Sequence, residues 1–569
     1  AYGAKGYVLM EGDYYVAVGG SAHDAVNNVL LAKKADGITI AEEKMAGSGD
    51  ASLVGKLTLS FDAEKYAYSD AASSLDGEVQ KVTNLFDFAD MNLYEGRGDN
   101  HVDYYSREHW DAISLDMASG HAVLQMTDQM ARDIYAQVPE QTGNYNNAKG
   151  VPKQYLQPIP KDDVAYPTYG EEAGIPLIKM MYDEAGNEIS FFDPAWDTFL
   201  DQLSWEDTVR LVASGFHNTE AVESVAKPET NDENGPNGFG GWAFRNGYYT
   251  NTIGLAFRKE VALGHVDNEG NLTDQADPLG YAKMTGFPAN GILAATFNKD
   301  LASEAGRIIG EDGIWSGCSG LYGIGLNIHR SPYLGRTCEY FSECGTLSGL
   351  IGACESAAIE AKGVHVYNKH CALNDQENCR HGVQSWISEQ ALREIYLRAF
   401  ELPIVKGGAY NTMASFSRFG TQSGAACTAL GTDFLRGECG MKGIIVTDAY
   451  GDMDGSQNCD PYFEMAYGVY MGGSDIPDGA TPLTQGHFTK FSKGYGQMAW
   501  KMRESAKRVL YQTVWSNAMN GLSADTHVLK VTPWWQMALY IADGVVGALF
   551  IFSILWTLLA LLKEKKQVA

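Results

Sequence analysis

The sequence predicts an α/β fold whose largest part, residues 196–515, is a (β/α)8 TIM-like barrel. Segments typical of strands and of helices alternate through this region, as they do in parallel sheets with helical crossovers. The predicted strands are continuous apolar or β-branched runs without polar alternation, which is typical of strands buried on both faces. The region spans about 300 residues, a length that suits a barrel, although the alternation alone also fits a doubly wound sheet.

Local patterns predict the individual elements in order along the chain. Strands are predicted at 6–10, 14–18 and 57–61, where short apolar runs are bounded by turn residues, and residues 22–33 have helical spacing. Helical periodicity returns over 196–213. The later elements are predicted as a strand at 325–328, a helix at 347–361, a strand at 364–367, a helix at 388–400, a strand at 412–416, a helix at 428–436 and a strand at 444–447.

The length of 569 residues, too great for one compact domain, predicts two to three domains. A small β-rich part comes first, and a stretch rich in Pro, Asn, Gly and Tyr then predicts an irregular connector that packs on the barrel. The predicted parts are 1–75 for the β-rich part, 76–195 for the connector, 196–515 for the barrel, 516–540 for a juxtamembrane linker, 541–562 for a transmembrane helix and 563–569 for a cytoplasmic tail.

The overall composition excludes two classes of protein. The formal net charge of −28 argues against a nucleic-acid partner, because neutralising phosphates requires clustered Lys and Arg. Hydrophobic residues make up 45% of the chain and aromatic residues 11%, which excludes a disordered acidic protein. The acidity itself concerns solubility rather than fold or reaction.

The nine cysteines all lie in one region of the chain, and their number is odd. They include no Cys-x-x-Cys pair and fit no zinc spacing, so no metal is expected at them. A disulfide framework is not expected in a chain this long, and most of the thiols are predicted to be small core residues. One or two bridges remain open if this region is extracellular.

The C-terminal region predicts a membrane anchor. Residues 544–562 contain no charged residue and are just long enough to cross a bilayer. The run is flanked by aromatic residues on one side and lysines on the other: Trp534, Trp535 and Tyr540, then Lys563, Lys565 and Lys566. The lysines predict a cytoplasmic C-terminus, with the residues before about 530 outside the cell and Asp543 at the outer interface. The alternative interpretation is a buried core helix.

Asp448 is the candidate nucleophile, because this single carboxylate directly follows the strand predicted at 444–447. Barrel enzymes place their chemistry at the carboxyl ends of such strands. An alternative is a metal-dependent hydrolase that uses Asp448, Asp452 and Asp454, whose spacing resembles a calcium loop. No Glu completes a twelve-residue loop, and no flanking helix pair is evident, so this alternative is the weaker one.

Five ordered motifs make the chain similar to glycoside hydrolase family 3. They are N-I-H-R-S-P-Y-L-G-R-T-C-E-Y-F-S-E at 327–343, K-H-C-A-L-N-D-Q-E at 369–377, S-E-Q-A-L-R-E-I-Y-L-R-A-F-E at 388–401, M-A-S-F-S-R at 413–418 and L-R-G-E-C-G-M-K-G-I-I-V-T-D at 435–448. The resemblance implies a retaining exo-glycosidase of β-glucosidase type with Asp448 as its nucleophile and without a cofactor. The family's S-D-W motif is T-D-A here, so its Trp is replaced by Ala449, and Tyr450 is the candidate substitute.

The resemblance also implies a sugar-binding set, at Arg336, Lys369, His370, Met413 and Arg418. The Lys-His pair of the family contacts hydroxyls of the innermost sugar. Three of these residues have structural alternatives. Arg336 could instead form a salt bridge to a neighbouring glutamate, His370 could be a satisfied core histidine, and Arg418 could be structural.

One expected sugar ligand has changed identity. The family has an Asp in a D-G-P segment, whereas Asn234 occupies that position here, with Asp232 and Glu233 just before it. An amide is a weaker acceptor than a carboxylate and also donates, so either Asn234 binds the sugar or Asp232 takes over.

The domain order implied by the resemblance is circularly permuted. Residues 9–25 are similar to late strands of a fibronectin type III-like domain, which puts residues 1–75 before the barrel as the C-terminal part of such a domain. The α/β sandwich that usually supplies the acid/base glutamate would then lie upstream of residue 1. The expectation is an N-terminally truncated chain that hydrolyses poorly alone. Some relatives instead use an Asp-His dyad, but His381 has no Asp two residues before it and is predicted to be a surface residue.

Two functions therefore compete. The first is a single-pass membrane protein whose extracellular domain cleaves non-reducing terminal sugars from oligosaccharides through Asp448. The alternative is a catalytically weak or inactive membrane-anchored carbohydrate-binding protein on the same barrel. Asn234 and the lost Trp favour the second, whereas Asp448, Arg336 and the Lys369-His370 pair favour the first.

Overall fold

The computed structural model describes most of the chain, including all five motifs. The described residues are 7–8, 11–39, 45–60, 67–68, 84–102, 124–135, 159–213, 218–239, 285–378, 380, 383–448, 461–477, 488–527 and 534–568.

The N-terminal part contains two antiparallel strand pairs and one helix. Its elements are β1 (Tyr7–Val8), β2 (Gly12–Ala17), α1 (Ala22–Ala35), β3 (Val54–Leu59) and β4 (Ala67–Tyr68). β1 pairs with β4, and β2 pairs with β3 over six residues. Ser21 caps α1 by accepting a hydrogen bond from the backbone N–H of Asp24. The predicted strands and helix are confirmed here with shifted bounds, whereas a fibronectin-like domain remains a prediction.

The helical periodicity predicted over 196–213 corresponds to two helices rather than one. After α2 (Asp128–Tyr135) come α3 (Ala195–Asp201) and α4 (Trp205–Ala213). Ser204 separates α3 from α4, because its hydroxyl accepts from the N–H of Asp207 at 3.0 Å while its own N–H donates to the Asp207 carboxylate at 3.1 Å. This reciprocal cap starts a new helix.

The remaining elements alternate as predicted for an α/β fold. The strands are β5 (Asn218–Thr219), β6 (Thr230–Asn234), β7 (Gly320–Tyr322), β8 (His365–Cys371), β9 (Gln384–Ser385), β10 (Asn411–Ala414), β11 (Arg418–Phe419), β12 (Gln422–Ser423) and β13 (Ile445–Val446). The helices are α5 (Asn290–Ala294), α6 (Lys299–Ser316), α7 (Gly345–Glu360), α8 (Glu389–Ala391), α9 (Arg398–Gly407), α10 (Pro461–Met471), α11 (Gly496–Val514) and α12 (Trp534–Val568). Two π-helical segments, Leu392–Leu397 and Ala429–Glu438, precede α9 and β13.

A half-barrel sheet organises this region. Its strand order is β13-β10-β8-β7-β6-β5, in which β6, β7, β8, β10 and β13 are parallel and β5 pairs antiparallel with β6 at one edge. All seven residues of β8 are buried, as predicted for a central parallel strand. Closure of the sheet into a full barrel remains a prediction.

The prediction of a strand at 325–328 is wrong. The strand of this region is β7, which ends a few residues earlier. The predicted segment contributes only one isolated bridge, between Gly325 and Lys369. A side chain at Gly325 would come within 2.5 Å of the Glu339 carbonyl, so this backbone passes close to the neighbouring loop. The segment then leaves the ladder and places Asn327 against the end of β8.

The two faces of the sheet pack against different helices. Leu321, Val366 and Ile445 belong to a cluster that includes buried residues of α6, α7 and α9. Their neighbours Tyr322, Tyr367, Met413 and Val446 point to the opposite face and pack with residues of α3, α4 and α11. Burial on both faces explains why the strand sequences show no polar alternation.

Two further predictions concern the C-terminal membrane helix and the state of the cysteines. Within the described residues, one helix segment, Met537–Ala560 of α12, is long and apolar enough to cross a membrane, with a mean hydropathy of 2.1, and none of it is buried. Length and composition alone make this segment a candidate span. The seven cysteines among the described residues are free thiols, four of them buried, and Cys379 and Cys459 lie outside those residues.

Candidate active site

The carboxyl ends of β8 and β13 bring His370 and Asp448 together. Asn368, Thr412 and Ile445 are in register across β8, β10 and β13, so the residues that follow reach the same edge of the sheet. His370 Nε2 lies 3.7 Å from Asp448 Oδ2. The histidine side chain is 2% exposed and the aspartate side chain 14%, so the aspartate is the more accessible of the two.

Arg336 contacts His370 and a glutamate at the same time. Its Nη1 lies 3.0 Å from His370 Nε2, and its Nε and Nη2 donate to the two oxygens of Glu339 at 2.8 and 2.6 Å. Burial alone would raise the pKa of Glu339, but the hydrogen bonds from Arg336 and the charge of Lys369 outweigh it and hold that pKa below its usual range. The salt-bridge alternative is therefore observed with Glu339, together with the contact to His370.

His370 is neutral, and its partners fix the tautomer. Burial lowers its pKa well below the usual range, and the positive charges of Arg336, Lys369 and Arg380 lower it further. Arginine can only donate, so Nε2 accepts from Arg336 and Nδ1 carries the proton. Nδ1 lies 3.3 Å from Asn327 Oδ1, which accepts that proton's hydrogen bond. The 3.7 Å contact to Asp448 is consequently not an ion pair.

Asn327 and Tyr340 contact the backbone and the Nδ1 side of His370. The Asn327 side chain accepts from the His370 N–H at 2.8 Å and donates to its carbonyl at 2.9 Å, and the Tyr340 hydroxyl lies 3.5 Å from Nδ1. Sequence reasoning missed both residues, and it missed Arg380, whose guanidinium lies over the Phe416 ring at 5.1 Å. Asn327 and Tyr340 stand inside the quoted 327–343 motif, so the available signal was their polar character within that motif.

Asn234 and the acid Asp232 lie on β6, the strand next to β7. Asn234 ends β6 opposite Tyr322 of β7. Asp232 is fully buried and accepts from the Tyr367 hydroxyl at 3.0 Å, and Gln512 of α11 donates to the same hydroxyl at 2.7 Å. Burial raises the pKa of Asp232 to about 6. Asp232 thus joins the sheet to α11.

The last two predicted site residues are built into the protein interior. Met413 is 2% exposed and pairs with Val446 across β10 and β13, within the cluster that packs on α11. Arg418 belongs to a small sheet of order β12-β11-β9, and its Nη1 donates to the Thr421 carbonyl at 3.1 Å. That contact fits the structural alternative for Arg418.

The alternative metal and dyad residues cannot be placed. Tyr450, His381, Asp452 and Asp454 lie outside the described residues. Among the residues that are described, no group of three or more His, Cys, Asp or Glu side chains is arranged to hold a metal ion.

Comparisons with known proteins agree with the motifs. The model of the family described as the glycosyl hydrolase family 3 N terminal domain matches residues 267–477, which include β7, β8, β10, β13 and Asp448. A beta-glucosidase of Ruminococcus albus is 36% identical over 179 residues, 32% of this chain and 19% of that protein. Beta-glucosidase B of Emericella nidulans is 30% identical over 258 residues, 45% of this chain and 26% of that protein.

One solved structure, a beta-glucosidase from Paenibacillus barengoltzii, matches with a TM-score of 0.48 and 23% identity, covering 69% of this chain and 38% of that one. The sequence matches place residues 267–477 among the N terminal domains of glycosyl hydrolase family 3. The matched region belongs to family 3, and the resemblance to its β-glucosidases is confirmed. The match spans only a fifth to a quarter of these two curated relatives.

Proposed function

We propose that this chain is the nucleophile-bearing part of a retaining exo-glycosidase of β-glucosidase type, which removes non-reducing terminal sugars from extracellular oligosaccharides. The observation that carries the proposal is the position of the Asp448 carboxylate, 3.7 Å from a neutral His370 that Arg336 contacts. The names of the curated relatives support the β-glucosidase type.

In this mechanism an oxygen of Asp448 attacks the anomeric carbon and forms a covalent glycosyl-enzyme, while the glycosidic C–O bond breaks. The leaving oxygen takes a proton from a second carboxyl group. Water then attacks the intermediate, gives a proton back to that group and releases Asp448. The cationic side chains of Arg336 and Lys369 donate hydrogen bonds to sugar hydroxyls.

The general acid/base belongs, in our proposal, to an upstream domain of the complete enzyme that lies outside this chain. The support is the permuted order predicted from the sequence and the much greater length of the relatives. We also propose that the half-barrel is part of a (β/α)8 barrel, with Asn234 as the ligand at the D-G-P position. In the same proposal residues 1–75 are the end of a fibronectin type III-like domain, and α12 anchors the protein with the hydrolase domain outside the cell.

Covalent trapping tests the nucleophile. A 2-deoxy-2-fluoro-β-glucoside with a dinitrophenolate leaving group should form an adduct on the peptide that contains Asp448, and the D448N variant should form none. An adduct on another carboxylate, or sugar binding by the complete enzyme without any adduct, would contradict the proposal. The second outcome would instead favour the carbohydrate-binding alternative.

Leaving-group dependence tests the position of the acid. Dinitrophenolate departs without protonation, whereas an alkoxide does not. The chain alone should therefore turn over dinitrophenyl glucoside at least about 100-fold faster, relative to the complete enzyme, than it turns over an alkyl glucoside. Comparable relative rates for the two substrates would place the acid within this chain.

A further inference from the structure

Glu377 lies between two arginines beside the candidate active site. Its Oε1 lies 3.8 Å from Arg336 Nη1, and its Oε2 lies 3.1 Å from Arg380 Nη1. The side-chain amide of Asn374, which is 1% exposed, approaches Oε1 at 3.4 Å. The same Arg336 Nη1 is the atom that lies 3.0 Å from His370 Nε2. The carboxylate is thus one guanidinium away from the histidine that neighbours Asp448.

The backbone fixes this carboxylate in place. The N–H of Glu377 donates to the Leu334 carbonyl at 3.1 Å, and the N–H of Arg380 donates to the Glu377 carbonyl at 3.3 Å. Gly335 has a φ of +97°, and a Cβ there would lie 2.9 Å from Glu377 Cγ. Both the left-handed backbone and the close approach require glycine at that position. Glu377 is therefore packed closely against the loop that carries Arg336.

The two acids next to Arg336, Glu339 and Glu377, contact different edges of its guanidinium group. Glu339 takes the Nε and Nη2 edge of the guanidinium, which leaves Nη1 directed at His370 and Glu377. Two arginines and Lys369 concentrate positive charge around His370, whose pKa all three lower. Glu377 lies within 4 Å of both guanidinium groups, so its negative charge offsets the repulsion between these two like charges.

We propose that Glu377 is a positioning residue that holds Arg336 and Arg380 in the geometry required for binding the sugar. This inference rests on the proposed function, because it takes the surroundings of His370 and Asp448 as the sugar site. Both oxygens of the carboxylate face cationic side chains, so Glu377 acts through the arginines and does not itself touch the substrate.

The test compares E377Q with E343Q. Glutamine keeps the shape of the side chain and removes its charge, and Glu343 is an exposed acid near Arg336 in sequence that supplies the matched loss of charge. The probe is the dinitrophenyl 2-deoxy-2-fluoro-β-glucoside, with the rate of labelling followed against its concentration. In E377Q the half-saturating concentration should rise about tenfold, the size expected for loss of a charge-assisted contact, while the limiting rate changes less than about threefold. E343Q should match the wild type.

Two results would overturn the inference. An unchanged half-saturating concentration in E377Q shows that the arginines do not depend on Glu377, and a fall in the limiting rate alone assigns Glu377 to the chemistry instead. A merely structural role would lower the fraction of protein that is labelled and leave both constants unchanged. If E377Q does not fold, E377D replaces it, because aspartate keeps the charge but withdraws the oxygens by one methylene.

Failure of the proposed function is distinguishable from failure of the inference. If the wild type is not labelled at all, the function fails, and sugar-free crystal structures of wild type and E377Q decide the positioning role. The inference expects the Arg380 guanidinium to leave its 3.1 Å position in E377Q. Unchanged guanidinium positions would overturn it.

Discussion

Two clusters of charge in this protein use the same residue types in opposite ways. Around Arg393, the guanidinium donates to Glu389 at 2.8 Å and to both oxygens of Glu438 at 2.6 and 2.9 Å, and the three side chains are only 4–6% exposed. Around Arg336, the side chains of the arginine and its Glu339 partner are 17 and 19% exposed. The first cluster is closed to solvent, whereas the second, the open cluster, is partly exposed.

The closed cluster joins distant parts of the chain. Glu389 also accepts from the backbone N–H groups of Leu85 and Phe86 at 2.8 to 3.0 Å, so it fastens the predicted connector to the barrel region. Fully paired buried charges of this kind specify a structure, and breaking one partner is costly. In the open cluster one donor of Arg336 faces a neutral histidine next to Asp448. The comparison separates charge used for stability from charge available to a substrate.

The largest effect is expected for D448N, which changes the open cluster and leaves the closed cluster intact. D448N should lower the rate of dinitrophenyl glucoside hydrolysis by about 10^4-fold, since a neutral amide cannot form the glycosyl-enzyme. The denaturant midpoint should stay near that of the wild type, because asparagine keeps the size and shape of the partly exposed side chain. Steady-state hydrolysis and a denaturant titration check both statements. A loss of less than tenfold would remove Asp448 as the nucleophile.

The second prediction breaks the closed cluster. E438Q removes the carboxylate from Arg393 and leaves a buried cation short of its partner, so the unfolding free energy should fall by about 3 kcal/mol. The rate per labelled active site should remain unchanged. A denaturant titration of the transition monitored by tryptophan fluorescence measures the change.

The matched control for E438Q is E304Q. Glu304 pairs with Arg307 on the exposed face of α6, and both side chains are about half exposed. Its loss should be too small to resolve in the same titration, because solvent screens exposed pairs. Equal losses in the two variants would show that burial does not set the strength of these pairs.

The sequence predicted much of the fold and part of the site, and the limits have physical causes. The strands around 364–367 and 444–447 were predictable because burial on both faces leaves continuous apolar runs. Asp448 was predictable because it follows such a run. The prediction of a strand at 325–328 failed, because the backbone at Gly325 packs closely on Glu339 and leaves the hydrogen-bonding pattern of the sheet there. Local periodicity carries no information about such a contact between loops.

Contacts between residues far apart in the chain could not be predicted from the sequence. Nothing local relates Leu85 to Glu389, or Arg393 to Glu438, because these residues meet only once the sheet has formed. The tautomer of His370 depends likewise on Asn327 and Arg336 arriving from another loop. Sequence motifs named the histidine, but only the fold fixes which of its nitrogens accepts.

A further effect, at most as large as that of E438Q, concerns Asp232, a buried carboxyl that lies in neither cluster. Burial raises its pKa to about 6 in the folded protein, against about 3.9 in an unfolded chain. The folded state therefore binds the proton more tightly, and the stability that this group contributes is present below pH 4 and lost as the pH rises through 6. D232N removes this dependence. Relative to wild type, its unfolding free energy should rise by at most about 3 kcal/mol between pH 4 and pH 8.

Denaturant titrations of both proteins across that pH range check the sign, with D163N as the control. Asp163 is exposed, and D163N controls for the loss of one aspartate from the surface. A flat difference for D232N would mean that Asp232 ionises inside the fold as easily as outside it. The hydrogen bond from the Tyr367 hydroxyl and the charge of Lys227 would then be enough to support a buried anion.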